Sequence, residues 1–209
     1  MLGNPNNETR FVLEQADVEH PVLLLELPEN SLIALVDHNE SAQSIDNRHA
    51  HTIHSVIDHH KIGDLATGYP LSMRFEPVAS TNTILYKMYR DKNIPITQEI
   101  ATLMLAGILS DTLHFRSPTT TDEDRAIVSL LQEMSDIHDL ESFAMDMFAA
   151  KSDLGDVSTY DLIMNIDGKA FTFGEKKVWI ACIETTNPNY CLGRKEELIA
   201  EMNAIKLTE

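Results

Sequence analysis

Three carboxylates in this chain follow apolar runs and stand beside imidazoles or hydroxyls. Leu32 to Val36 runs into Asp37-His38-Asn39, Thr52 to Ile57 runs into Asp58-His59-His60, and Leu103 to Leu109 runs into Ser110-Asp111-Thr112. Carboxylate and imidazole donors together suit Mn²⁺, Mg²⁺ or a similar divalent ion. A carboxylate with two imidazoles at a strand end makes poor core material. In an open α/β sheet, ligands bind at the carboxyl ends of strands. The three endings therefore predict one shared metal centre.

Such a centre needs elements that end together. Ser31 to Val36 and Pro21 to Leu27 read as buried strands separated by the turn Pro28-Glu29-Asn30. Thr52 to Asp58 alternates, as does Leu71 to Val78, and both read as strands. Gln43 to Ala50 is polar and reads as a surface helix or loop. Helical patterns occupy Thr9 to Gln15, the stretch after Ser80-Thr81 (either one an N-cap candidate), Thr97 to Leu109, Asp122 to Met134 and Asp139 to Ala149. The run Asp122-Glu123-Asp124 suits the positive end of its helix and is not a ligand cluster. Beyond the linker at Lys151 to Gly155, Thr159 to Met164 is helical, Gly174-Glu175 joins two runs as a hairpin, and Arg194 to Ile205 is helical.

Composition narrows the function classes. The chain has 209 residues, 43% of them hydrophobic, enough for a buried core. Its formal charge of −17 argues against a nucleic-acid or anionic-membrane surface. It does not exclude an anionic substrate, because bound divalent cations reverse the local field. Cys182 and Cys191 are too few for a disulfide scaffold, and a reducing, cytoplasmic setting is expected. No apolar run approaches the roughly 20 residues of a membrane span.

The order Asp-His-Asn, Asp-His-His, Ser-Asp-Thr resembles the DHH phosphoesterase superfamily. Val56-Ile57-Asp58-His59-His60-Lys61, Glu76-Pro77-Val78, Ser80-Thr81-Asn82-Thr83 and Ile108 to Thr112 followed by Ser117-Pro118-Thr119 resemble the manganese-dependent (family II) inorganic pyrophosphatases. The resemblance runs over nearly the whole chain. It implies an α/β fold, with a parallel-sheet DHH domain over residues 1–150 and part of a smaller α/β C-terminal, substrate-binding domain over 151–209. The family opens with a strand and a His-x-x-x-Asp-x-Asp metal segment and closes with a phosphate-gripping Ser-Arg-Lys-Lys segment. Neither occurs here, so the chain is expected to be cut at both ends, to bind Mn²⁺ weakly and to turn over pyrophosphate poorly.

The resemblance also assigns roles. Asp37 bridges two metal ions, and His59 and Asp111 hold one of them. His60 contacts substrate phosphate and, with Asp37, makes up the catalytic pair. Asp58 is expected to stand behind the ligands and accept an imidazole N–H. His38 either does likewise or is merely solvated. Arg116 and Lys151 are candidates for phosphate binding, although a surface arginine reads equally well for Arg116. Two Mn²⁺ ions are implied, with Mg²⁺ or Co²⁺ as substitutes. The implied reaction is hydrolysis of pyrophosphate to two phosphates, with no nucleic-acid or membrane partner, and a homodimer is allowed. The rival readings are another DHH phosphoesterase, such as an exopolyphosphatase, and a non-catalytic fragment or pseudoenzyme.

Overall fold

Three parallel strands carry two of the three expected motifs to one edge. In the computed structural model, which describes residues 4–23, 27–45, 47–166, 168–183 and 185–208, β1 is Leu32–Val36, β2 is Thr52–Asp58 and β3 is Ser72–Phe75. The sheet order is β1-β2-β3, with Val36 opposite Ile57 and Asp58 opposite Phe75. All three strands run the same way, so the chain leaves each one at the same edge. Asp37 follows β1, Asp58 closes β2, and the segment from Glu76 to Ser80 follows β3. Leu35, Ile53 and Val56 form the sheet's buried cluster, flanked by Ile33, Leu65, Leu71 and Phe75.

Most expected elements form. The polar stretch before β2 is two short 3-10 turns, Ser41–Gln43 and Arg48–Ala50. The expected strand from Pro21 to Leu27 includes residues 24–26, which lie outside the described residues. Its described part is not strand, and Val22 is 81% exposed. Helix α1 is Asn7–Gln15, α2 is Thr81–Asp91, α3 is Gln98–Asp111, α4 is Asp122–Met134 and α5 is Leu140–Ser152. Helix α3 touches α1, α2 and α4, and Leu105, Ile108 and Leu109 on it are fully buried. That enclosure explains why it is apolar nearly all round. Ser80 is the N-cap of α2, accepting from Asn82 N–H at 3.2 Å. Asp111 is the last residue of α3 rather than the first after it.

The chain divides into two compact units, Met1–Met145 and Asp146–Glu209. In the second, α6 (Thr159–Met164) packs with α8 (Lys195–Thr208) around Leu162, Ile163 and Leu198. The antiparallel hairpin of β4 (Gly168–Phe173) and β5 (Lys176–Ala181) turns at Gly174, whose φ of +62° suits glycine. A short helix α7, Pro188–Leu192, was not legible in the sequence. Cys182 and Cys191 are both free. Among the described residues no helix is long and apolar enough to cross a membrane.

Two local features give measurable consequences. After α3 the chain takes three consecutive residues at positive φ, Leu113 (+49°), His114 (+49°) and Phe115 (+65°). Left-handed backbone costs a non-glycine residue roughly 1–2 kcal/mol. The turn is held by Thr112, whose Oγ1 accepts from Phe115 N–H at 3.2 Å and whose carbonyl accepts from Ser117 N–H at 2.8 Å. Leu113 is 42% exposed, so its removal gives up only part of the packing that a core leucine would. Leu113→Gly is therefore expected to raise stability by up to about 1 kcal/mol in chemical denaturation. A clear loss would contradict the strain.

Glu76, at the end of β3, is the second. Its carboxylate accepts from Arg74 Nε at 2.8 Å and from Lys87 Nζ, and Lys87 also reaches Glu123 at 2.9 Å. Burial alone pushes the Glu76 pKa up, but the hydrogen bonds and charges of Lys87 and Arg74 more than reverse this and hold it low. A carboxyl with a depressed folded pKa stabilises the fold above its unfolded value. That contribution is lost as pH falls through the folded value. Glu76→Gln should thus lower Tm at neutral pH, and the two melting curves should converge in acid, below the ordinary value of 4.5. Equal Tm values at neutral pH would contradict it.

Candidate metal centre

The site is built from two backbone devices. At the end of β1, Asp37 N–H still donates to Ile57 O of β2 at 3.0 Å. The residue then adopts φ +66°, a conformation that Asp tolerates better than most residues. Strain of this kind concentrates at functional sites. Thr81 Oγ1, at the start of α2, donates to Asp37 Oδ1 at 2.7 Å. At the end of β2, Asp58 is fully buried and folds the chain over its own side chain. Its Oδ1 accepts from His59 N–H at 2.8 Å, His60 N–H at 3.1 Å and His60 Nδ1 at 2.8 Å. This side-chain turn breaks the strand's alternation, so two consecutive imidazoles face the same way. Their ring centroids lie 4.1 Å apart.

Asn39 locks the two motifs together. It is 1% exposed. Its Nδ2 donates to Asp58 Oδ2 at 2.7 Å and to Lys61 O at 3.0 Å, while its Oδ1 accepts from Gly63 N–H at 2.6 Å. A side chain at Gly63 would collide first with Glu40 Cγ and would also press on Asn39 Oδ1, 3.2 Å from the added carbon. Burial pushes the Asp58 pKa up, but the hydrogen bonds from Asn39 and His60 outweigh it and hold the carboxyl ionised and low. An ionised Asp58 fixes the proton of His60 on Nδ1 and leaves its Nε2 free.

Asp37, His59 and His60 converge. One ligand atom from each lies within 4.8 Å of the other two, and His59 Nε2 stands 3.5 Å from Asp37 Oδ1. His59 Nδ1 meets the Val78 carbonyl at 3.0 Å. A carbonyl only accepts, so Nδ1 carries a proton and Nε2 is the ring nitrogen that faces Asp37.

Asp111 stands beside this cluster, although not among its three groups. Withdrawal from water pushes its pKa up and the Asp37 charge adds to that, against a hydrogen bond from Ser80 and the fields of His59 and His60. The residue remains exposed, so an ion can reach it. Two carboxylates close enough to repel each other, beside two imidazoles, make a site whose field a divalent cation would satisfy. The donor types fit Mn²⁺.

His38, Arg116 and Lys151 are not among the three convergent groups. His38 spends its Nδ1 on Val36 O at 3.0 Å, and no described contact takes it to the cluster. Arg116 is exposed. Lys151 is half-buried on the last turn of α5, in the second unit. A cavity of about 440 Å³ is lined by Ser41, Arg48, His49, His51, Thr67 and Tyr69 among others, but by none of the cluster's residues. Sequence reading missed Asn39, Thr81 and the Val78 carbonyl. Thr81 carried a signal only as a cap, and Asn39 only by its place after Asp37.

Fold and site together define a DHH-type chain. The model for the DHH family, N-terminal domain, matches residues 5–108, and that for the DHHA2 domain matches residues 145–209. A protein of Deinococcus radiodurans named probable manganese-dependent inorganic pyrophosphatase is 49% identical over 209 residues, covering 98% of this chain and 66% of that protein. The manganese-dependent inorganic pyrophosphatase of Methanothrix thermoacetophila is 42% identical over 200 residues, or 96% of this chain and 63% of that protein. A crystal structure of a Methanococcus jannaschii protein assigned to the family II inorganic pyrophosphatases superposes with TM-score 0.81 at 36% identity, covering 96% of this chain and 68% of that one. The chain belongs to the family of manganese-dependent, family II inorganic pyrophosphatases. It spans about two thirds of the length of the curated relatives it matches.

Proposed function

We propose that this chain carries metal and substrate ligands for hydrolysis of inorganic pyrophosphate to two phosphates. Mn²⁺ is held by Asp37, His59 and Asp111. The observation that supports this best is the convergence of Asp37, His59 and His60 from two strand ends. Bound divalent ions supply Lewis acidity toward a phosphoryl group and lower the pKa of an attacking water. The chain's own groups do the rest. Asp58 holds His60 by its Nδ1 so that Nε2 faces the place a substrate phosphate would take. Thr81 holds the Asp37 carboxylate, and the Val78 carbonyl holds His59. Arg116 and Lys151 serve as further phosphate contacts. Residues 1–150 act as the DHH domain and 151–209 as part of the substrate-binding domain. An exposed, free Cys182 suits a cytoplasmic setting.

The test is calorimetric titration with Mn²⁺, followed by phosphate release from pyrophosphate, tripolyphosphate and a dinucleotide. The described donors suffice for about one ion per chain, given that Mn²⁺ prefers several O and N ligands. That stoichiometry, with release fastest from pyrophosphate, is the expected result. Faster release from tripolyphosphate would favour a polyphosphatase instead.

A further inference from the structure

Apart from Asp58 behind the imidazoles, Asp124 is the one fully buried carboxylate among the described residues. It lies in the first turn of α4 and closes a capping box with Thr121. A cap explains only part of its contacts. Its Oδ2 accepts from Thr121 N–H at 2.8 Å and Thr121 Oγ1 at 2.6 Å. The same oxygen accepts from Ala79 N–H at 3.1 Å, and Oδ1 accepts from Thr83 Oγ1 at 2.6 Å. Exposed helix starts are capped without burying a charge, and burying one is costly unless it is fully hydrogen-bonded. This carboxylate reaches across 45 residues to a loop it does not need for its own helix.

The bond to Ala79 has a geometric consequence. Ala79 N–H and Val78 C=O belong to one peptide group, which is planar and rigid. The N–H side of that group faces Asp124, and the C=O side faces His59 Nδ1. Asp124, a single peptide and the His59 imidazole therefore form one line of hydrogen bonds ending at the ring nitrogen Nε2 beside Asp37. Such chains polarise each bond in turn. Carboxylates that contact a ligating histidine directly fix its tautomer and raise its basicity. Here the peptide stands between them. Thr83 and Thr81, on the next turn, tie the same segment to Asp124 and to Asp37.

We propose that Asp124 is a positioning residue for the metal centre, acting through the Val78–Ala79 peptide to hold His59 with its proton on Nδ1 and its Nε2 free for the ion. This rests on the reading of His59 as a metal ligand. The peptide also transmits position. If it rotates, the carbonyl leaves His59 and the ring loses its orientation.

The test compares Asp124→Asn with Thr121→Ala in the full chain. Both weaken the same helix cap, but only the first removes the charge behind the peptide. Asp124→Asn is expected to bind Mn²⁺ about 10- to 100-fold more weakly, and Thr121→Ala to stay near the parent. The ¹⁵N shifts of the His59 ring, read on the metal-free parent at alkaline pH, should report Nδ1–H, and the Ala79 amide proton should lie downfield and exchange slowly. In Asp124→Asn the Nδ1–H signature should weaken. Equal loss of Mn²⁺ affinity in both variants would reduce Asp124 to a helix cap and overturn the proposal. So would a parent His59 protonated on Nε2, and that result requires no variant to fold. Failure to hydrolyse pyrophosphate with the His59 signature intact would sink the proposed activity and leave this relay standing.

Discussion

Asp37→Ala is expected to bind Mn²⁺ on the order of 100-fold or more weakly than the parent chain, a larger loss than removal of any group behind the ligands. The carboxylate is the one anionic donor in the three-group cluster, and Asp111 nearby already carries a raised pKa. Without Asp37, the remaining donors are two imidazoles and the single carboxyl of Asp111, whose pKa burial still pushes up. Alanine also removes a residue type that tolerates φ +66°, so Asp37→Asn serves as the control. Asparagine keeps the shape and backbone tolerance and can still accept from Thr81, and it should lose Mn²⁺ comparably if charge is the cause. His60→Ala should retain most Mn²⁺ affinity and impair phosphate release, because its assigned partner is substrate. Calorimetry on the three variants, each first checked for folding, decides it. Retained metal in Asp37→Ala with metal loss in His60→Ala would mean that the two roles are reversed.

Asn39→Ala is expected to cost about 3 kcal/mol of stability, because a buried charged partner left unsatisfied loses about that much and two part-buried backbone groups lose their bonds with it. Truncation strands Asp58 Oδ2, Lys61 O and Gly63 N–H together. The loss of the Asp58 bond is the most costly of the three, since that carboxylate is ionised and has no exposure. Denaturant titration measures the change. A drop below about 1 kcal/mol would show that water replaces the amide freely, as it does at surface polar groups.

How far the sequence reached can be seen residue by residue. The motif endings were legible because parallel strands put consecutive strand ends on one edge. Asp37 and His59 meet there with little help from distant sequence. Helix α4 was legible from local chemistry alone, since the acidic run Asp122-Glu123-Asp124 suits the positive end of a helix, although its cap at Thr121 was not read. The second partner of Asp124 was not. Its bond to Ala79 spans 45 residues, and no local spacing encodes a contact set by the packing of α2 and α4. Asn39 was passed over because polar residues after a strand are usually solvated, and its burial depends on how the loop through Gly63 closes. The convergence of His59 and His60 ran against strand alternation. It became possible because Asp58 bends the backbone around its own carboxylate. The short strand β3 ended earlier than its alternating pattern because Glu76 turns to meet Arg74 and Lys87.

If Asp37, His59 and Asp111 hold a manganese ion, it sits at the strand ends. Anomalous scattering from crystals of this chain grown with Mn²⁺, recorded at the manganese edge, tests it most directly. The expected result is a peak within coordination distance of the Asp37 carboxylate and His59 Nε2, on the side toward Asp111. A peak bound elsewhere on the chain, with this cluster bare at saturating Mn²⁺, would contradict it.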